Sequence, residues 1–319
     1  MSKLLITGGA GFIGSHFVRL VLAQRHQATV LDALTYAGTL TNLARLDDAP
    51  GFRFVKGDIC DADLVDEVLP GHDAVVNFAA ESHVDRSIQA PENFMHTNFL
   101  GTGVLLEAAR KHGTTRFLQV STDEVYGSIE VGSFREGDRL SPSNPYSAAK
   151  AGADLLALAY ARTFDAPVVV TRSSNAFGPN QFPEKLIPLA ATNVLDGKTI
   201  PLYGDGLNVR DWTYVEDVCA GIMLALERGE TGRAYNVAAG NERANIDVAR
   251  RICALLGVEE TMIVPVADRP AHDRRYSVDP SAVRALGWSP SVSFEDALER
   301  TVAWYRDNRT WWEPLKARV

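Results

Sequence analysis

Lys3-Leu-Leu-Ile-Thr-Gly-Gly-Ala-Gly-Phe-Ile-Gly14 carries a short apolar run directly into a cluster of glycines. Glycine permits a tight turn and lets the backbone approach a pyrophosphate, whose charge is stabilised by the N-terminus of a following helix. The spacing is GxxGxxG rather than GxGxxG, and by itself it fits a plain glycine-rich turn as well as a phosphate site. The stretch predicts a strand, a turn and a helix, which is how a dinucleotide-binding fold begins.

Further apolar runs follow at helix-length spacing through the first half of the chain. They are separated by segments of helical periodicity, such as residues 15–24 and 102–112. Continuous apolar strands that alternate with helices are typical of a doubly wound, Rossmann-type α/β fold, whose parallel strands are buried on both faces. The predicted strands are Lys3–Thr7, Ala28–Asp32, Phe52–Val55, Ala74–Ala79, Arg116–Ser121 and Pro167–Thr171.

The pattern changes after Arg172, where loops rich in proline and glycine become frequent. We therefore predict an NAD-binding domain over residues 1–172 and a smaller mixed α/β substrate domain over most of residues 173–319. Ala234–Ala238 again has the composition of a buried strand, so a segment near residues 212–245 is expected to return to the first sheet.

Composition narrows the class of protein. The 319 residues are 46% hydrophobic and 23% charged, which excludes a disordered or collagen-like chain. A net charge of −8 argues against a broad nucleic-acid or anionic membrane surface. The three cysteines are far apart, which predicts a reducing compartment. The histidines have no metal-ligand spacing. The sequence shows neither a signal peptide nor an apolar stretch near the ~18 residues of a membrane span. We expect a cytoplasmic protein without a metal site.

Asp32 ends the second predicted strand. A carboxylate there can accept hydrogen bonds from the adenosine ribose hydroxyls and would repel a 2′-phosphate. No arginine or lysine follows in Ala33-Leu34-Thr35, so NAD is favoured over NADP. Asp58, just after the third strand, is expected either to reach the adenine or to act only as a turn residue.

Tyr146 and Lys150 lie four residues apart on a predicted helix that Asn144 caps and Pro145 begins. Both side chains project from one face of that helix. An ammonium beside the phenol, together with a nicotinamide cation, would lower the pKa of Tyr146 toward neutrality. The pair is thus a candidate base for an alcohol that loses a hydride, although YxxxK also occurs by chance on helix surfaces.

Ser121-Thr-Asp-Glu124 follows the Arg116–Ser121 strand, at the sheet edge where open α/β folds bind ligands. The segment could be only a polar loop and helix cap. Adjacent carboxylates in a cleft can, however, have their pKa values pushed apart, which leaves one acid and one base for a proton-transfer sequence. A simple dehydrogenase needs no such pair.

Gly8 to Gly14, Asp32, Thr122 and the Tyr146/Lys150 pair resemble the extended short-chain dehydrogenase/reductase superfamily. Five longer motifs resemble its dTDP-glucose 4,6-dehydratase family over nearly the whole chain. One departure is Ala176, where that family often has a second asparagine after Asn175. The motifs are Ala80-Glu-Ser-His-Val-Asp-Arg-Ser87, Ser121-Thr-Asp-Glu-Val-Tyr-Gly127, Pro183-Glu-Lys-Leu-Ile-Pro188, Arg210-Asp-Trp212 and Arg269-Pro-Ala-His-Asp-Arg-Arg-Tyr276.

The resemblance implies dehydration of dTDP-glucose to dTDP-4-keto-6-deoxy-glucose: oxidation at C4, loss of water across C5 and C6, and return of the hydride from NAD to C6. Tyr146 would be the base at the C4 hydroxyl, and Lys150 would hold the nicotinamide ribose. Thr122 would hydrogen-bond the C4 oxygen. Glu124 would take the C5 proton and Asp123 would protonate the departing C6 hydroxyl.

The same resemblance implies the binding residues, of which Lys185, Arg210 and Arg274 are the candidate diphosphate partners. For NAD they are Gly8, Gly11, Phe12, Ile13, Gly14, Asp32, Ala33, Leu34, Thr35, Asp58, Ile59, Phe78, Ala79, Ala80, Ser82, Thr97, Tyr146, Lys150 and Ala176. For the nucleotide sugar they are Ser82, Thr122, Asn175, Lys185, Leu186, Pro201, Leu202, Tyr203, Arg210, Asn245, His272, Arg274 and Tyr276.

Two other functions share parts of this pattern. A nucleotide-sugar 4-epimerase or decarboxylase would use Tyr146 and Lys150 but has no need of Asp123 and Glu124. A catalytically silent NAD-sensing scaffold could have the same fold, because a fold alone does not define a function. Residues 93–111 and 146–164 resemble the helices through which the superfamily forms dimers, although their alanine and leucine content fits buried helices of a monomer equally well. A homodimer is expected.

Overall fold

The computed structural model describes residues 1–46 and 48–318. The strands are β1 Lys3–Thr7, β2 Gln27–Asp32, β3 Phe52–Lys56, β4 Ala74–Asn77, β5 Arg116–Thr122, β6 Val168–Ser173, β7 Asn175–Phe177, β8 Ile200–Tyr203, β9 Val209–Tyr214, β10 Arg233–Val237, β11 Glu242–Ala244 and β12 Ile263–Val266. The helices are α1 Phe12–Ala23, α2 Ala62–Val68, α3 Val84–Gln89, α4 Pro91–Phe94, α5 Thr102–Lys111, α6 Pro145–Phe164, α7 Leu186–Leu195, α8 Val215–Arg228, α9 Asn245–Leu256, α10 Ser281–Ala285, α11 Phe294–Asp307 and α12 Arg309–Lys316.

A seven-stranded parallel sheet in the order β10-β6-β5-β4-β1-β2-β3 forms the centre of the molecule. Its strands bury apolar side chains on both faces, since Val30 and Val76 pack on the side of α1 and α8, while Leu5 and Val75 pack on the side of α2, α5 and α6. The predicted Rossmann-type α/β class is therefore confirmed.

Smaller sheets follow in the second half of the chain. β11, β9 and β7 form a three-stranded sheet, and β12 pairs with β8. A third apolar core lies among β7, β9, α7, α9 and α11, around side chains such as Phe177, Trp212 and Phe294. Between these elements the chain returns to the large sheet, because β10 pairs in parallel with β6 at its edge. The domain boundary at residue 172 stays a prediction.

The helix that the sequence predicted over residues 93–111 is interrupted. A π-helical segment, Met95–Gly101, lies between α4 and α5. Within it, the Asn98 side chain accepts a hydrogen bond from the Glu81 backbone nitrogen (2.9 Å) and donates one to the Glu81 carbonyl (3.0 Å). Segments of this kind are frequent at functional sites, and this one brings Thr97 to the cleft described below.

The C-terminal helix α12 contacts the N-terminal part of the chain. The indole nitrogen of Trp311 donates to the Asn42 side chain at 3.1 Å, and Asn42 in turn donates to the carbonyl of Ala10 in the glycine turn. No helix among the described residues is both long and apolar enough to cross a bilayer. Cys60, Cys219 and Cys253 are free thiols.

Candidate active site

A cavity of about 300 Å³ opens at the carboxyl ends of the strands of the large sheet, which is where open α/β sheets bind ligands. Its walls contain 18 of the 19 residues that were predicted to hold NAD; Leu34 does not line it. The residues brought together are Gly8, Gly11, Phe12, Ile13, Gly14, Asp32, Ala33, Thr35, Asp58, Ile59, Phe78, Ala79, Ala80, Ser82, Thr97, Tyr146, Lys150 and Ala176.

The glycine turn is built so that no side chain fits. Gly8 has a φ of +68°, and a Cβ there would lie 2.5 Å from the backbone nitrogen of Ala79. A Cβ on Gly14 would lie 2.3 Å from the carbonyl oxygen of Gly8. The backbone at the start of α1 therefore stays open to the cavity, and this cradle fits a dinucleotide pyrophosphate.

Asp32 lies at the end of β2 with both carboxylate oxygens engaged. One accepts a hydrogen bond from the backbone nitrogen of Ala10 and the other from that of Leu34, each at 2.8 Å. Burial raises the pKa of Asp32, and these two backbone donors oppose the shift. The carboxylate is thus fixed at the wall of the cavity, and its remaining lone pairs can accept hydrogen bonds from the ribose of NAD.

Asp58 lines the same cavity and also accepts a hydrogen bond from the Cys60 backbone nitrogen at 2.9 Å. The turn role and the position next to the predicted adenosine site are therefore compatible. Leu34 contributes only its backbone nitrogen, to Asp32, and its own φ is +54°.

Helix α6 places the two central side chains. Asn144 caps the helix by accepting a hydrogen bond from the Ser147 backbone nitrogen at 2.9 Å, and the Ser147 side chain accepts one from the Asn144 nitrogen. With the first turn fixed in this way, Tyr146 and Lys150 point into the cavity. They are 8% and 4% exposed. The Lys150 ammonium donates to the Val120 carbonyl at 2.6 Å.

Burial is the largest influence on the pKa values of Tyr146 and Lys150. It lowers the pKa of Lys150 to about 8. Burial and the nearby Glu124 carboxyl raise the pKa of Tyr146 well above its usual value, with the Thr122 hydroxyl acting in the opposite direction. The sequence predicted that Lys150 and a nicotinamide cation together would lower the pKa of Tyr146. Without the cation, burial and the Glu124 carboxyl raise it instead. Tyr146 is therefore protonated in the chain alone.

Asp123 and Glu124 begin the short 3₁₀ helix Asp123–Tyr126 that follows β5. The Thr122 hydroxyl donates to Asp123 at 3.2 Å and accepts from the Glu124 backbone nitrogen at 3.3 Å. Asp123 Oδ2 and Glu124 Oε2 are buried without a hydrogen-bond partner among the described residues. Of the two carboxyls, Glu124 lines the cavity and Asp123 lies outside that lining.

The two carboxyls differ in their surroundings. Burial, and next the charge of Glu124, raise the pKa of Asp123 well above its usual value. Burial also raises the pKa of Glu124, but Arg269, Lys185 and Arg210 favour its charged form. The arrangement is that of an acid beside a base.

On the substrate side, Ser82, Thr122, Asn175 and Lys185 line the cavity. The Lys185 ammonium donates to the Ser82 carbonyl at 2.7 Å, and Asn175 Oδ1 is buried without a hydrogen-bond partner among the residues described. The other nine predicted substrate residues lie outside this lining. They are Leu186, Pro201, Leu202, Tyr203, Arg210, Asn245, His272, Arg274 and Tyr276.

The predicted diphosphate partners are not all together. Arg210 is buried, with its guanidinium 4.1 Å from the ring centre of Tyr276, and its charge reaches Glu124 together with that of Lys185. Arg274 instead points to the surface, where it forms an ion pair with Asp205 at 2.7 Å.

Sequence reasoning did not include Tyr36, Glu184 or Arg269 in the site. Tyr36 and Glu184 line the cavity, and the Tyr36 hydroxyl donates to Glu184 at 2.9 Å. Arg269 lies close enough to affect the pKa of Glu124. Glu184 and Arg269 lie inside quoted motifs and Tyr36 directly follows Thr35, so their positions in sequence were the available signal.

Residues 5–301 match the family model described as GDP-mannose 4,6 dehydratase. The dTDP-glucose 4,6-dehydratase of Streptomyces niveus is 53% identical over 322 residues, which cover 99% of this chain and 96% of that protein. DesIV, a dTDP-glucose 4,6-dehydratase of Streptomyces venezuelae solved with NAD bound, is 53% identical, with a TM-score of 0.96 over 98% of this chain and 99% of its own. The UDP-glucose 4-epimerase of Thermus thermophilus, solved with NAD, is 32% identical, with a TM-score of 0.89 over 96% of this chain and 99% of its own.

Proposed function

The chain belongs to the family of dTDP-glucose 4,6-dehydratases and is an NAD-dependent hydro-lyase, and we propose that its cleft converts dTDP-glucose to dTDP-4-keto-6-deoxy-glucose with the side chains described above. The observation that carries the proposal is the convergence of Tyr146 with Asp123 and Glu124 at one end of the cleft. Tyr146 and Glu124 line the same cavity, and Asp123 directly precedes Glu124 in the chain, which supports this placement. A 4-epimerase on the same scaffold has no use for the two carboxyls.

NAD fits the residues present, because the glycine cradle leaves room for its pyrophosphate and Asp32 presents a fixed acceptor for its ribose. When bound, NAD supplies an acceptor for a hydride from the sugar C4 and a donor for its return to C6. Gly8, Gly11 and Gly14 would hold the pyrophosphate, and Lys150 would hold the nicotinamide ribose.

At the sugar, Tyr146 removes the proton of the C4 hydroxyl and Thr122 donates a hydrogen bond to the C4 oxygen. The protein groups alone keep Tyr146 protonated. Proton removal therefore depends on positive charge close to the phenol in addition to that of Lys150, and an occupied nicotinamide site would supply it. This dependence links the base to a filled cofactor site.

Elimination is assigned to the two carboxyls. Glu124 has three cations near it that favour its ionised form, so it takes the acidified C5 proton. Asp123 retains its own proton because it is buried beside Glu124, so it protonates the departing C6 hydroxyl. Their free oxygens, Oε2 and Oδ2, have no partner among the described residues and are the atoms assigned to these transfers.

Mass spectrometry of the products tests the function. The purified chain is incubated with NAD and with dTDP-, UDP- or GDP-glucose in separate reactions. We expect the dTDP-sugar to lose the mass of one water fastest. A product of unchanged mass with an inverted hydroxyl would indicate an epimerase, and no conversion of any sugar would indicate a silent scaffold.

We also propose a homodimer, which two helical segments of the chain support. The π-helical segment and α6 leave large apolar side chains exposed, with Met95 56%, Leu100 55% and Leu155 58% exposed. A second copy of the chain would cover them. Sedimentation should give the mass of two chains, and Leu155→Glu should shift it toward one chain. The cytoplasmic location stays a prediction.

A further inference from the structure

A buried carboxylate lies one helical turn beyond Lys150. Asp154 is 0% exposed and follows Lys150 by four residues on α6, a spacing that places two side chains on the same face of a helix. One Asp154 oxygen accepts a hydrogen bond from Arg172 Nε at 2.8 Å, and the other has no partner among the described residues. The predicted chemistry of the cleft does not use this group.

Arg172 is held firmly at the other side of Asp154. It lies on β6, donates to the Tyr126 hydroxyl at 2.7 Å and to the Glu136 carbonyl at 3.1 Å. Its guanidinium also lies 4.9 Å from the centre of the Tyr126 ring. Lys150, Asp154 and Arg172 are thus a row of three buried titratable groups, of which Asp154 and Arg172 form an ion pair at 2.8 Å and Lys150 lies one turn of α6 before Asp154.

A buried ammonium needs a counter-charge, because burial in an apolar environment favours its neutral form. The hydrogen-bond partner that the structure gives Lys150 is the neutral carbonyl of Val120. Asp154 opposes the lowering of the Lys150 pKa by burial. Burial raises the pKa of Asp154 itself, and Arg172 favours its ionised form. The other titratable groups around this row, on α6, the 3₁₀ helix and the loop before α6, are Tyr146, Asp123, Glu124, Tyr126 and Glu136.

We propose that Asp154 is a positioning residue for the dehydration, which acts by keeping Lys150 charged, and that Arg172 keeps Asp154 ionised for this purpose. The proposal rests on the function assigned to Tyr146 and Lys150. A neutral Lys150 donates more weakly to a ribose and no longer eases the ionisation of Tyr146. Loss of the Asp154 charge should therefore act on the chemistry from behind the cleft, without any contact with substrate.

The direct test measures the proton on Lys150. Asp154→Asn keeps the shape and an acceptor for Arg172 but removes the charge. The lysine side chains of the cofactor-free protein are labelled with ¹³C at Cε, Lys150 is assigned with Lys150→Arg, and its titration is followed by NMR. We expect the Lys150 pKa to fall by roughly one unit in Asp154→Asn and to return toward the wild-type value in Asp154→Glu.

The pH profile of turnover gives the second measurement. Because Lys150 must be protonated, the alkaline limb of the pH profile should move to lower pH in Asp154→Asn, by about as much as the Lys150 pKa decreases. Asp154→Glu should return the limb toward its wild-type position. Tyr126→Phe is the matched control, since it removes a hydrogen bond to Arg172 but no charge of the row. It should lower thermal stability and leave the limb in place.

An unchanged Lys150 titration in folded Asp154→Asn would overturn the proposal. If Asp154→Asn does not fold, Arg172→Gln takes its place. Without the guanidinium, Asp154 should bind a proton, and the pKa of Lys150 should again decrease. An unchanged Lys150 pKa in Arg172→Gln would overturn the proposal as well. The NMR titration needs no substrate, so a wild-type chain that fails to dehydrate dTDP-glucose would refute the proposed function separately.

Discussion

At the scale of single residues, Tyr146 is the side chain on which the proposed chemistry depends most. Tyr146→Phe removes the phenolic oxygen and keeps the ring, which contacts Phe94 edge to face. We expect turnover to fall about 10²- to 10⁴-fold, the range for loss of a general base. NAD should still bind with near-normal affinity in a calorimetric titration. Near-normal turnover would refute the assignment.

The two carboxyls should be separable by isotope exchange. In D₂O, Asp123→Asn should incorporate deuterium at C5 of the sugar but lose no water, because Glu124 still removes that proton. Glu124→Gln should slow the exchange itself, about 10²-fold or more. NMR of the recovered sugar measures C5 exchange, and mass spectrometry measures dehydration. Normal dehydration by both variants would refute the roles assigned to Asp123 and Glu124.

Asp123 should also impose a cost on folding that depends on pH. Its pKa is raised in the fold, so its contribution to stability is greatest below the unfolded value and is lost as the pH rises through the folded value. Asp123→Asn removes the charge, so the variant should gain stability over the wild type as the pH increases. We expect the gain in Tm to be larger by about 2 °C at about pH 8 than at about pH 5. If Asp123→Asn differed from the wild type in Tm by the same amount at both pH values, the raised pKa of Asp123 would be refuted.

At the scale of secondary-structure elements, the cap of α6 connects stability to catalysis. Asn144→Ala removes the acceptor for the Ser147 backbone nitrogen and should cost about 1 kcal/mol. Because Tyr146 lies in the turn that the cap fixes, turnover should fall as well. Ser293→Ala, which uncaps α11 by removing the acceptor for Asp296, is the control. It should lower Tm by a similar amount and leave turnover unchanged.

Some elements of this chain depend only on neighbouring residues in the sequence, whereas others depend on distant ones. The Asn144 cap, the Pro145 start and the six strands of the first half could be predicted, because capping and continuous apolar runs depend on neighbours in sequence. The π-helical segment could not, since Asn98 is fixed by the Glu81 backbone, 17 residues away in sequence. The exclusion of a side chain at Gly8 likewise depends on the backbone of Ala79, which is distant in sequence.

At the scale of the whole molecule, the site depends on pairings between distant segments. The resemblance to a family could assign Arg274 to the diphosphate, but only the fold reveals its ion pair with Asp205, 69 residues away. In the same way, the raised pKa of Tyr146 follows from how deeply α6 and the Asp123–Tyr126 helix are buried together. Residue types together with the family resemblance predicted the chemistry, whereas the balance of charge and burial required the assembled cleft.

Glu184 joins three parts of the chain across the cleft. Its carboxylate is 4% exposed, accepts from the Tyr36 hydroxyl after β2 at 2.9 Å and pairs with Arg86 of α3 at 3.3 Å. The Arg86 guanidinium also lies 3.9 Å from the centre of the Tyr36 ring. Because Tyr36 and Glu184 both line the cavity, this contact should slow the release of a bound dinucleotide.

Glu184→Gln keeps the size of the side chain but removes the charge that pairs with Arg86. Loss of a charge-assisted bond of this kind is worth about 1.5 kcal/mol, so NAD should dissociate roughly 10-fold faster, with a smaller effect on its association. Stopped-flow displacement of NAD measures both rates. Glu313→Gln removes an exposed ion pair with Arg309 and should change neither rate. If Glu184→Gln released NAD at the wild-type rate, the contact between Tyr36, Arg86 and Glu184 would serve the fold alone, and retention of the cofactor would depend on the glycine cradle, Asp32 and Lys150.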